Sequence, residues 1–136
     1  MGLTNKEKIE YWVKISDGDL EIAKTMLENR YRVYTGFMCH QVIEKIFKAS
    51  YEKLKNETPP YTHSLPRLAE LTGIYGLFSD EQKTFLSILN PLNIEARYPD
   101  YKEQIAKTLT DERCEQIYEQ TELLQQWIKE KILLRK

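Results

Sequence analysis

Apolar side chains recur at helical spacing along most of this chain, and the adjacent Pro59 and Pro60 are the sharpest interruption of that rhythm. Thr4 followed by Glu7 forms a capping box, after which Ile9, Trp12, Val13, Ser16, Leu20, Ala23 and Leu27 share one face. This predicts a helix over about residues 5–29. A second helix is predicted from near Tyr34 to about Lys55, with no proline inside it and Gly36 as its one weak point. Asn56-Glu57-Thr58-Pro59-Pro60 cannot continue it, because paired prolines lack donors and push their predecessors to extended geometry. Ser64 caps a short helix over about 65–75, with Pro66 in its first turn and Gly73 or Gly76 as its stop. Ser79 with Gln82 opens a further helix carrying Phe85, Leu86, Leu89 and Leu92. It is expected to kink at Pro91 and to end near Ala96, because Tyr98 precedes Pro99. Thr110, followed by Asp111 and Glu112, starts the last helix, whose buried face runs through Cys114, Ile117, Tyr118, Thr121, Leu124 and Ile128.

The expected fold is all-α: a single domain over 1–136, built as an antiparallel up-and-down bundle of four long helices plus one short helix. The chain is long enough to bury one continuous core and too short for a second domain. Charge and cysteine usage narrow the function classes. A formal net charge of -1 provides no overall field for nucleic acid or anionic lipid, so RNA is not favoured and any such binding needs a local patch. Cys39 and Cys114 are too few for a disulfide scaffold and form no CxxC pair, which fits the cytoplasm. No run approaches the roughly 18 apolar residues of a membrane span. Gly2 opens no acylation signal, since Lys6 stands where that motif wants Ser or Thr.

At 100° per residue, Gly36, Cys39, Val42, Ile43, Ile46, Phe47, Ala49 and Leu54 cover well over half of helix two. Such a helix is buried on two sides, and helices one, four and five can cover only part of it, which predicts a homodimer. The remaining arc collects Gln41, Glu44, Lys45 and Lys48 in one polar stripe, which is either a solvated face or the lining of a site. A second constellation is Glu95-Ala96-Arg97-Tyr98-Pro99-Asp100-Tyr101, where a guanidinium, a carboxylate and two phenols crowd a turn at the end of helix four. Guanidinium beside aromatic can hold phosphate and stack a base; equally, Arg97 can cap helix carbonyls while Asp100 bonds the turn. His63, just before a helix start, is a proton-transfer candidate or a loop anchor. Cys39, His40, His63 and Cys114 show no repeated ligand spacing, so no metal site is expected, and no motif calls for a cofactor. Cys39 lies on the apolar arc, where a neutral thiol is favoured over a nucleophilic thiolate.

Taken together, Gln41-x-x-Glu44-Lys45-x-x-Lys48-Ala49, then Thr62-His63-Ser64-Leu65, then Ala96-Arg97-Tyr98-Pro99-Asp100 resembles the HEPN family of small helical proteins. Trp12, Ser16, Asp19-Leu20 and Ala23 extend the resemblance into the first helix, so that it covers roughly residues 9–130. The resemblance implies a bundle related to the C-terminal domain of kanamycin nucleotidyltransferase, a homodimer, and a role beside a minimal nucleotidyltransferase in a toxin and antitoxin module. HEPN ribonucleases carry an Arg followed four to six residues later by His, whereas no His follows Arg97 here. The expectation is therefore a non-catalytic subunit binding a nucleotide. Lys45, Lys48 and Arg97 would hold phosphate, Tyr98 or Tyr101 would stack, and Gln41, Glu44 and Asp100 would orient the cations. The alternatives are a divergent metal-independent endoribonuclease using Arg97 and His63, and a buried polar network that specifies helix register or the dimer seam.

Overall fold

The structure is a computed structural model that describes residues 2–94 and 99–134. Among the described residues six α-helices follow one another: α1 (Asn5–Glu28), α2 (Arg32–Lys55), α3 (Leu65–Thr72), α4 (Asp80–Leu89), α5 (Pro99–Thr108) and α6 (Asp111–Ile128). Single 3-10 turns stand at Tyr75–Leu77 and Asn90–Leu92, and α6 runs on into a π turn over Lys129–Leu133. No strand occurs among the described residues, so the fold is all-α as expected. Among the described residues no helix is long and apolar enough to cross a membrane.

Most helix ends are set by local chemistry. The Thr4 and Glu7 box caps α1, the Ser79 and Gln82 box caps α4, and Ser64 and Thr110 cap α3 and α6. Gly73, at φ +86°, ends α3, the first of the two expected stops. Helix α2 starts at Arg32, slightly earlier than expected and without a side-chain cap. Its entrance is held instead by a two-pronged ion pair from the Arg32 guanidinium to Asp111 at the start of α6, at 2.8 and 3.2 Å.

Two expectations about the helices change. The fourth helix does not run kinked through Pro91 to Ala96: α4 stops at Leu89 and the chain tightens into a 3-10 turn, where Pro91 costs no intrahelical bond. Pro99 then begins a further helix, α5, rather than merely ending one, because proline suits a first helical position and Asp100 complements the dipole there. Among the described residues the bundle thus has three long and three short helices, rather than four long and one short.

Helix α2 is the axle of the molecule. Helix α1 returns antiparallel along it after a tight turn, and α6 runs parallel to it, with Asp111 beside Arg32 and the Leu133 carbonyl beside Lys53. Helix α3 packs on the second half of α2, while α4 runs back against both α2 and α6. Cys39, Val42, Ile43, Ile46, Phe47 and Ala49 are all fully buried by these neighbours. Within the chain itself, α2 is therefore covered more fully than expected, and its apolar arc does not require a second copy. Leu54 departs from that arc and lies half exposed near the end of the helix. At Gly36 the absence of a side chain lets Leu92 and Leu109 close over α2; a Cβ there would meet Leu92 Cδ1 at 3.0 Å.

Candidate functional site: a buried carboxylate among cations

Where α1, α2 and the loop before α3 meet, the polar stripe of α2 is buried. Glu44 is 1% exposed, Gln41 and Lys48 are 9% exposed, and Lys45 is half-buried. A solvated face is thereby excluded. Glu44 is the centre of the cluster: one carboxylate oxygen lies 3.1 Å from Lys48 Nζ and 3.8 Å from Lys45 Nζ, and the other lies 3.0 Å from His63 Nδ1. Burial alone would raise the Glu44 carboxyl, but Lys48, the His63 hydrogen bond and Lys45 outweigh it and hold the group below the ordinary carboxylate range. Glu44 is an anion locked in place.

Each surrounding cation has its own brace. Lys45 donates to Gln41 Oε1 at 2.6 Å, and the Lys48 ammonium lies 5.4 Å from the Trp12 ring centre. The Trp12 indole N–H donates to Glu52 Oε2 at 3.0 Å, tying a second enclosed carboxylate to α1. Asp19, also on α1, faces the same group of charges; burial pushes its carboxyl up, Lys45 opposes that shift and Glu44 adds to it. Behind the stripe, His40 is wholly buried, and burial drives its imidazole down to about 4 although Glu44 pulls the other way. Among the described residues its Nε2 and the Asn93 Oδ1 make no hydrogen bond, although the His63 backbone also opposes the downward shift of the imidazole.

Of the residues expected to form the site, Gln41, Glu44, Lys45 and Lys48 therefore lie together, and His63 joins them across 19 positions of sequence. Arg97 and Tyr98 lie outside the described residues. Asp100 is exposed in the first turn of α5. Tyr101 donates its hydroxyl to the Pro91 carbonyl at 3.1 Å and lines a hollow between α5, α6 and the end of α4. Trp12, Asp19 and Glu52 were not expected in the site. The signal that would have found the first two is their helical phase with Ser16, whose hydroxyl donates to the Val42 carbonyl and fixes α1 against α2 at this level.

The family model of the HEPN domain matches residues 9–132, nearly the whole chain. The chain belongs to the HEPN domain family. Comparison with curated proteins and with solved structures gives no match. Within this HEPN domain the cluster can do two kinds of chemistry. Its ammonium groups can hold an anion, and the Glu44 carboxylate orients the His63 ring through Nδ1, which sets an imidazole beside them. Among the described residues no group of three or more His, Cys, Asp or Glu side chains is placed to hold a metal ion.

Proposed function

We propose that this HEPN domain is a non-catalytic subunit that binds a nucleotide through its phosphates at the α2 stripe. The observation that carries the reading is donor surplus in a partly enclosed site. Each ammonium has three N–H donors, yet among the described residues Lys45 hydrogen-bonds only Gln41 and Lys48 only Glu44. Their side chains keep 17% and 11% of their exposure, which leaves an approach for a ligand oxygen. In this reading Arg97 adds a planar fork, Tyr98 or Tyr101 stacks the base, and Asp100 orients the guanidinium. A homodimer, a minimal nucleotidyltransferase partner in a toxin and antitoxin module, and action in the cytoplasm belong to the same reading and rest on family membership.

Charge-assisted hydrogen bonds contribute roughly 1.5 to 3 kcal/mol each before ordering costs, so two or three give about micromolar to millimolar affinity. Calorimetric titration with ATP, alone and with a minimal nucleotidyltransferase, tests the reading. Binding is expected in at least one titration, and weaker binding in Lys45→Ala, Lys48→Met and Arg97→Lys. Wild-type affinity in all three variants, or no heat in either titration, would overturn it.

The pairing of Glu44 with His63 favours a second reading, a divergent metal-independent endoribonuclease in which His63 moves the proton and Arg97 steadies the phosphate. RNA cleavage without divalent metal that disappears in both His63→Ala and Arg97→Ala would put this reading first.

A further inference from the structure

At the end of the molecule where α1 begins and α6 finishes, the two helices part and leave a groove of about 760 Å³. Ile9 and Val13, one turn apart on α1, face Leu133 and Leu134 at the close of the π turn. Leu134 is 73% exposed, an unusual position for a leucine beside other apolar side chains. The π turn belongs to the groove's construction: Lys53 of α2 donates to the Leu133 carbonyl at 2.6 Å, and Lys129 reaches Asp17 of α1 at 2.6 Å, so the groove walls are pinned.

Charge is distributed unevenly around it. Four lysines line the groove against two carboxylates, although the chain as a whole carries a net charge of -1. Lys129 is matched by Asp17, which leaves the exposed Lys6 and Lys14 on the rim with only Glu10 between them. The α1 wall from Asn5 to Asp17 is about 18 Å long at 1.5 Å per residue, the length of three to four helical turns. Helices α1 and α6 both pack on α2, so a helix laid between them fills the open corner of a four-helix arrangement.

We propose that this groove receives an amphipathic helix of a protein partner, with aliphatic anchors along one face and carboxylates beside them. The concave apolar floor fits a helix better than a flat membrane surface, and no aromatic side chain lines it to stack the bases of RNA. Anchors spaced i, i+4 and i+7 meet the four aliphatic side chains, while flanking carboxylates meet Lys6 and Lys14. The groove lining contains none of Trp12, Glu44, Lys45 and Lys48, so this partner site does not depend on nucleotide binding at the α2 stripe.

The probe is a labelled helix-favouring peptide of about 14 residues with leucines at that spacing and glutamates on its flanks, titrated by fluorescence anisotropy against the full chain. A twin peptide carries lysines in place of the glutamates. The acidic peptide is expected to bind at least about tenfold more tightly than its basic twin, and Lys6→Glu with Lys14→Glu to reverse the order. Leu134→Asp, at an exposed position that the fold does not need, should weaken binding by about tenfold with unchanged circular dichroism. Equal affinity for both peptides, no binding, or binding unchanged in Leu134→Asp would overturn the proposal. Displacement of the peptide by equimolar decanoate would overturn it in favour of a lipid-like anion, and a wild-type dimer made monomeric by Leu134→Asp would assign the groove to a second copy.

Discussion

A carboxylate as enclosed as Glu44 stays ionised only where nearby cations and hydrogen bonds offset its lost hydration, and here Lys48 and Lys45 supply the charge and His63 a hydrogen bond. Removing one partner strands the others. Glu44→Ala should therefore destabilise the fold by about 3 kcal/mol or more, whereas Glu44→Met combined with Lys48→Met should cost much less than the two single changes added together. Urea unfolding of the four proteins measures this coupling, and additive losses would show that the pair is not a unit. The direction of the Glu44 shift sets the pH window. Its folded value is lowered, so its contribution is present above its unfolded value and is lost as pH falls through the lowered one. The stripe was legible because Gln41, Glu44, Lys45 and Lys48 follow helical spacing. Its burial was not legible, because it depends on Trp12 and His63, which reach it from α1 and from the loop before α3.

At the scale of elements, capping residues made most helix starts readable, and weak apolar spacing concealed one whole helix. Helix α5 offers only Tyr101 and Ile105 as well-spaced core residues within ten, so Pro99 reads more readily as an ending than as a beginning. The turn between α1 and α2 shows a different conflict between residue and conformation. Arg30 sits at φ 62° and closes α1 through bonds from its own N–H to Leu27 and from Tyr31 N–H to Met26, a position that glycine occupies without strain. Its exposed pairing with Asp111, at 3.9 Å, is too long and too solvated to offset that strain. Arg30→Gly should stabilise the protein by up to about 1 kcal/mol, less the backbone entropy that glycine adds to the unfolded chain. Asn56, at φ 54° after α2, is the control: asparagine tolerates this region, so Asn56→Gly should shift the melting temperature less than Arg30→Gly does. A lower melting temperature for Arg30→Gly would mean that the turn depends on the arginine side chain.

Over the whole molecule, the most distinctive stability signal should come from His40. Its folded value of about 4 lies below the unfolded 6.5, so the unfolded chain takes up the proton first. The sign follows: stability is unaffected above 6.5, falls as pH drops from 6.5 towards 4, and levels off with respect to this group below that. The total change is on the order of 3 kcal/mol. Between pH 6.5 and 5 the lowered Glu44 carboxyl contributes little and the raised Asp19 carboxyl acts in the opposite direction, so a fall in stability there is assigned to His40. His40→Leu, of similar size and with no buried imidazole to protonate, should flatten that part of the profile at little cost at pH 7. An unchanged slope in the variant would show that His40 is not the group responsible. Self-association belongs to the same scale: light scattering at micromolar concentration should give a mass near twice 16.2 kDa, and a strict monomer would remove the dimer from the proposed function.

The all-α class, the caps at Thr4, Ser64, Ser79 and Thr110, the break at Pro59-Pro60 and the polar stripe on α2 were determined by the sequence alone, because each depends on residues within a few positions of one another. Tertiary structure decided what no local pattern carries. It buried the stripe, set His63 against Glu44, covered α2 from within the chain, and spread α1 from α6 to leave a lysine-rimmed groove. Periodicity records which side chains share a face of one helix. What that face meets depends on contacts between residues far apart in sequence, and only the packed chain contains them.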